Sequence, residues 1–338
     1  MTDHLFKSKT FSSVYQKYMV PVSTEVINLI FSYMEEKQKS KPYDTAVDVG
    51  CGPGRYTLPL APYFKKVIGV DISKSQIWEA KQYCTLENVT FQVAAAENLP
   101  LEDSSVDLVN AGLAAHWFNM DKFVHEAIRV LKPNGCLALH AFVPIFKLQD
   151  DRNDAALNAI MKQYLDKVSE FKYEIENLLH HQYEEVFNAI PLKDKKWQVH
   201  MSCQVAAVRE GADQEYCSSV TASIDCLPCH PATFTAKQPH WTPEKIPLQL
   251  SQRVTDIPVV YERSIEEIIG FFQSVYMYQE FLKHDENEAI GFLMHLEQRF
   301  HDILGEGSES ALLKLHCKHY CVLACKPSGT WRNNGLEN

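Results

Sequence analysis

The chain predicts an α/β fold built on a mostly parallel sheet, and three features of its first half carry that prediction. The apolar run Ala46-Val47-Asp48-Val49 leads directly into a glycine turn, Gly50-Cys51-Gly52-Pro53-Gly54. A second apolar run, Lys66-Val67-Ile68-Gly69-Val70, ends in Asp71, about 20 residues after the first glycine. Strand-like segments then recur with helical spacers between them, the cadence of parallel strands joined by crossovers.

Taken in order, residues 11–40 read as a helix pair, with Val22, Val26, Ile27, Ile30, Phe31 and Met34 at helical spacing, expected to cover the rim of a pocket. Strands are expected at 45–49, 66–70, 89–94, 106–110 and 136–142. A helix at 121–131 stops before Lys132-Pro133-Asn134-Gly135, with proline and glycine in the order of a helix terminus. Residues 151–190 form one long amphipathic pattern, with Leu157, Ile160, Tyr164, Val168, Phe171, Ile175, Leu178 and Leu179 on one side. The stretch 203–256 is proline-rich and aperiodic and is expected to be irregular. Two closing strands, 311–316 and 319–325, are expected to supply an antiparallel edge. The organisation is therefore N-terminal helices and a cofactor-binding core over 1–145, a largely helical cap over 146–310, closing strands over 311–327, and a mobile polar tail over 328–338.

Glycines at alternate positions let backbone approach a ligand closely. A dinucleotide loop is spaced G-x-G-x-x-G and seats a pyrophosphate on a helix N-terminus. This turn is spaced G-x-G-x-G, and Asp48 at the strand's end would repel a pyrophosphate but welcome a cation. S-adenosylmethionine, with a sulfonium, an ammonium and no phosphate, suits it. Asp71 is placed to accept hydrogen bonds from ribose hydroxyls.

Five motifs carry a family resemblance: Val-Asp-Val-Gly-Cys-Gly-Pro-Gly at 47–54, Gly-Val-Asp at 69–71, Ala-Glu-Asn-Leu-Pro at 96–100, Ala-Ala-His-Trp-Phe at 114–118 and Glu-Ala-Ile-Arg-Val-Leu-Lys-Pro-Asn-Gly at 126–135. Together they resemble the class I S-adenosylmethionine-dependent methyltransferases of the methyltransferase domain 11 type, and the trans-aconitate methyltransferase subgroup within it. The resemblance is dense from Phe11 to Phe142, returns at 264–270 and 320–327, and fails between Cys203 and Asp256. It implies a Rossmann-like, seven-stranded, mostly parallel sheet with an antiparallel edge strand and a largely helical cap. It also implies that Asp48, Gly50, Gly52 and Gly54 face the methionine half of the cofactor, that Asp71 with Ile72 holds the ribose side, and that Ala96 and Glu97 line the adenine. An N-terminal aromatic should close over the cofactor, for which Tyr15 and Tyr18 qualify and Tyr18 is preferred. Two family features are missing: Ala95 stands where an acid is usual, and Met19 and Val20 stand where an Arg is usual.

His116 follows the fourth strand, at the sheet end where ligands bind, and is the candidate general base; its alternative role is a hydrogen-bonding pocket wall. Trp117 beside it is expected to wall the acceptor pocket. A net charge of -10 argues against a nucleic-acid partner. No stretch approaches the roughly 18 apolar residues of a membrane span, and the opening residues lack a secretory apolar run, so a cytoplasmic protein with no membrane partner is expected. The ten cysteines are then read as free thiols, mostly packing residues. Cys226-Leu227-Pro228-Cys229-His230 supplies two zinc ligands without a matching second pair, so no metal is assigned. Cys317, Cys321 and Cys325 fall on one side of a strand. The expected activity is O-methylation of a small acidic metabolite, against the alternative of a cofactor-binding regulatory or interaction subunit without turnover.

Overall fold

Short apolar runs bounded by turn residues become the central strands of a mixed sheet in the computed structural model, which describes residues 9–38, 41–150, 152–174, 177–190, 199–200 and 249–326. Helices α1 (Lys9–Tyr18) and α2 (Thr24–Lys37) come first. Ser23 starts α2 by accepting the Val26 N–H at 3.1 Å. Then follow β1 (Tyr43–Val49), β2 (Phe64–Asp71), α3 (Lys74–Tyr83), β3 (Val89–Val93), β4 (Val106–Gly112), α4 (Met120–Val130) and β5 (Leu131–Phe142). The second half adds β6 (Lys147–Gln149), α5 (Asp154–Val168), α6 (Asn177–His180), α7 (Glu184–Ala189), β7 (Val199–His200) and β8 (Gln249–Arg263). Helices α8 (Ile265–Ser274), α9 (Tyr276–His284) and α10 (Glu286–Leu304) precede the last strand, β9 (Leu313–Cys325).

Strand order is β3-β2-β1-β4-β5-β9-β8-β7, with β6 also paired to β9. Strands β1 to β5 are mutually parallel, and β9 runs antiparallel to both β5 and β8. This is a Rossmann-like architecture, a mostly parallel sheet with one antiparallel strand. One face of the sheet buries Phe123, Val124 and Ala127 of α4 with Val186 and Phe187 of α7. The other buries Val26, Ile30 and Met34 of α2 with Ile77 and Ala80 of α3. A third apolar cluster joins α5, α8, α9 and α10 to β6 and the start of β9 as a helical cap.

Five expectations need correction. The sheet has nine strands among the described residues rather than seven, and its antiparallel strand is interior, flanked by β5 and β8. The expected pair of closing strands, 311–316 and 319–325, is one continuous strand: Lys318 between them pairs with Asp256 of β8 at 2.9 Å while its neighbours Cys317 and His319 stay buried. Strand β8 begins inside the segment expected to be irregular and lies in the core sheet rather than the cap. Its apolar alternation is masked by Arg253, which is 4% exposed and donates to the carbonyls of Gln182 (3.0 Å) and His181 (2.7 Å), and by a bulge at Asp256, where φ is +55°. The long pattern over 151–190 breaks after Val168 into short turns and helices, with Gln182 and Tyr183 in the left-handed region. Helix α2 covers the sheet rather than the pocket rim; only α1 reaches the rim.

Cys51, Cys84, Cys136, Cys317, Cys321 and Cys325 are free thiols, and the last three share the buried side of β9. Cys203, Cys217, the Cys226–Cys229 pair, most of the 203–256 stretch and the 328–338 tail lie outside the described residues. No described helix is long and apolar enough to cross a membrane.

Close approach fixes one residue of β2. A Cβ at Gly69 would sit 2.5 Å from Phe91 Cδ1 and 3.0 Å from Cys51 Sγ, so β2 can only lie against Phe91 if Gly69 has no side chain. Gly69→Ala is expected to lower stability by about 1–3 kcal/mol, read as a lower urea midpoint with an unchanged slope.

Candidate active site

The glycine turn is built from three residues at positive φ, +66° at Gly50, +54° at Gly52 and +92° at Gly54, a region L side chains avoid. A Cβ at Gly50 would fall 2.6 Å from Ala114 Cβ, and one at Gly54 would fall 3.0 Å from Phe91, so these two glycines serve packing. At Gly52 a Cβ would meet open space, because the residue borders a cavity. Asp71 at the end of β2 holds the turn: one carboxylate oxygen accepts the Gly52 N–H at 2.9 Å and the other accepts the Ser73 N–H at 2.8 Å. Burial raises its carboxyl above the usual value, opposed by those two amide hydrogen bonds.

The cavity has a volume of about 490 Å³ and opens at the carboxyl ends of the parallel strands, where such sheets bind ligands. It unites most of the residues that the sequence singles out: Gly50, Gly52, Asp71, Ile72, Ala96, Glu97, His116 and Trp117 all line it. Ile72 is 64% exposed, an apolar side chain left uncovered at the mouth. Glu97 also accepts the Asn119 N–H at 2.8 Å, ahead of α4.

Three expected residues do not line it. Gly54 faces Phe91 instead. Tyr18 covers Gly270 of α8, and its hydroxyl donates to Glu266 at 2.9 Å; from one turn earlier in α1, Tyr15 reaches the cavity. Asp48 is fully buried beneath the turn, where its oxygens accept from Thr57 Oγ1 at 2.5 Å and Asn110 Nδ2 at 2.7 Å. Burial pushes its carboxyl up to about 7, with the two hydrogen bonds pulling the other way. Sequence reasoning missed Gln76 on α3, whose Oε1 is buried without a hydrogen-bond partner while the residue borders the cavity. It also missed the apolar far wall, from β5 to the cap helices, because those residues converge only in the fold.

His116 is 4% exposed, and its Nδ1 lies 2.8 Å from the hydroxyl of Tyr183. Burial lowers its pKa to about 3, so the ring is neutral and a weak proton acceptor. Burial holds the Tyr183 phenol well above the usual range. A phenol O–H is a stronger donor than a neutral imidazole N–H and an imidazole nitrogen the stronger acceptor, so Tyr183 donates to Nδ1, which leaves the imidazole hydrogen on Nε2. The general-base assignment is thus replaced by that of a neutral donor.

These features can be compared with known proteins. Residues 47–139 match the family model described as a methyltransferase domain. Over that stretch the chain is similar to that family, and the cofactor is S-adenosylmethionine. The chain is 38% identical over 136 residues to a Dictyostelium discoideum protein named as a methyltransferase, covering 40% of this chain and 49% of that one. It is 29% identical over 143 residues to a Saccharomyces cerevisiae protein named as an S-adenosylmethionine-dependent methyltransferase, covering 41% and 46%. The chain thus spans about half the length of these relatives. The solved structure of a protein described as a type II methyltransferase from Anaeromyxobacter dehalogenans superposes with a TM-score of 0.57 over 92% of this chain and 99% of that one, at 16% identity, and shares the fold. The cavity fits the cofactor: Gly52 leaves backbone exposed, Asp71 and Gln76 Oε1, which has no partner among the described residues, offer acceptors, and Ile72 offers an apolar surface.

Two predictions follow from this geometry. The Asp48 carboxyl titrates near 7 in the folded chain against about 4 unfolded, so its contribution is full below about pH 4 and is lost as pH rises through 7. Asp48→Asn keeps the Asn110 hydrogen bond, reverses the Thr57 one so that the amide donates, and removes the buried charge, and its Tm relative to the parent should climb between pH 5 and pH 8, by an amount equivalent to roughly 1–4 kcal/mol. Tyr15→Ala should weaken S-adenosylmethionine binding at least several-fold, whereas Tyr18→Ala should leave it within about twofold, as read by calorimetric titration.

Proposed function

We propose that the chain transfers the methyl group of S-adenosylmethionine to an oxygen of a small-molecule acceptor. The observation that carries this reading is the continuity of one cavity, which runs from the glycine turn and Asp71 to an apolar chamber under the cap. Cofactor and acceptor can therefore meet away from water, which is most of what a sulfonium displacement requires of a protein. S-adenosylmethionine supplies an activated methyl group on a good leaving group.

In this reading Asp71 receives the ribose hydroxyls, Gly50 and Gly52 present main chain to the methionine portion, and Ile72, Ala96 and Glu97 border the adenine. Tyr15 of α1 closes over the cofactor in the place first given to Tyr18. Gln76 offers its carbonyl to a cofactor donor. Asp48 acts from below by shaping the turn. His116 and Trp117 stand at the acceptor end. The acidic-metabolite expectation is supported by the resemblance alone, since no Lys or Arg is found among the described residues lining the cavity.

Calorimetric titration with S-adenosylmethionine tests the reading. Micromolar binding is expected, together with a loss of at least tenfold in Asp71→Ala and release of S-adenosylhomocysteine when an acceptor is supplied. Absence of binding by the folded parent chain overturns it, and tight binding without turnover on a broad acceptor panel favours a regulatory subunit.

A further inference from the structure

The walls of the acceptor chamber restrict what it can hold. Beyond the cofactor end they are made by Phe142, Phe146, Met161, Phe271, Phe272 and Met277. Polar tips in this part of the wall are turned to the protein itself. Tyr164 Oη donates to the Phe272 carbonyl at 2.8 Å, Ser274 Oγ donates to the Phe271 carbonyl at 2.7 Å, and Tyr276 Oη accepts the Tyr173 N–H at 3.2 Å. What these residues offer an acceptor is mainly ring face and thioether.

Charge is equally restricted. The charged side chains among the described lining residues are Asp71 and Glu97, both acidic and both at the cofactor end. A bound anion would have one full positive partner near the reacting atoms, the sulfonium. A second or third carboxylate would be desolvated without a partner and would face two like charges, a costly arrangement in an apolar chamber. The polar group left for the acceptor is His116, whose Nε2 makes no hydrogen bond to a described residue and carries the ring proton once the Tyr183 hydroxyl donates to Nδ1.

We infer that the acceptor is a hydrophobic monocarboxylate, its tail among the cap aromatics and its head taken by His116 Nε2–H. This rests on the proposed methyl transfer and names its substrate class. A lone pair on one carboxylate oxygen forms the new O–CH3 bond while the S–CH3 bond breaks with its electron pair left on sulfur. The carboxylate becomes a neutral methyl ester, the sulfonium becomes a neutral thioether, and no proton is released, so no base is needed. His116 donates to the other carboxylate oxygen and orients the head, which suits a neutral imidazole.

The test uses the full chain saturated with sinefungin, an unreactive analogue that puts a protonated amine where the sulfonium stands. Octanoate, trans-cinnamate and trans-aconitate are titrated calorimetrically. Octanoate and cinnamate should bind at least tenfold more tightly than trans-aconitate. His116→Phe should weaken octanoate at least tenfold, and His116→Gln, which keeps a donor at the same reach, should restore binding to within about threefold of the parent chain. Both variants should bind sinefungin unchanged, which separates loss of the donor from loss of the fold. Trans-aconitate binding as tightly as the monocarboxylates, failure of both monocarboxylates to bind, or an octanoate affinity indifferent to His116→Phe would each overturn the inference. Failure of sinefungin itself to bind overturns the methyltransferase reading and this one with it.

Discussion

Beneath the glycine turn, the fully buried carboxylate of Asp48 ties β1 to Thr57 after the turn and to Asn110 on β4. The thread continues sideways, since Asn110 Oδ1 accepts from His140 Nε2 of β5 at 3.1 Å. A hydrogen-bonded line thus crosses three adjacent strands under the cofactor end of the cavity. Each member is desolvated, and each is costly to leave unpaired, so together they permit one register of β1, β4 and β5 and one seating of the turn. The positive φ of Gly50, the amide of Gly52 aimed at Asp71 and the exposed edge at Gly52 all depend on that seating.

Above this line the cavity is asymmetric. Its floor is main chain and acids contributed by strand ends close together in sequence. Its far wall is apolar and comes from β5, α5 and the α8–α9 corner, segments far apart in sequence. His116 sits between the two, and Tyr183 of the α6–α7 turn fixes the imidazole through its hydroxyl. One buried phenol thereby decides what the histidine presents.

Much of the core was legible from sequence because its signals are local. Strand runs ending in a glycine turn or an acid placed β1 to β5 and most of the cavity floor. Strand β8 was not legible, because a buried Arg253 finds its partners on two backbone carbonyls about 70 residues away, and a bulge at Asp256 interrupts the alternation. Between Tyr15 and Tyr18 the linear chain gave only a preference for Tyr18. What separates them is Gly270 of α8, which offers Tyr18 a flat surface and leaves Tyr15 facing the cavity.

The sequence by itself determined the fold class, the kind of cofactor and the identity of the residues at the glycine turn, because each follows from backbone freedom and charge within a few residues. Only the tertiary structure decided that Asp48 serves the turn from below, that His116 is a neutral donor, and that the acceptor end is apolar and without cations among the described residues. Those are matters of burial and of partners distant in the chain, and a side chain's protonation state and direction are set by what surrounds it rather than by its neighbours in sequence.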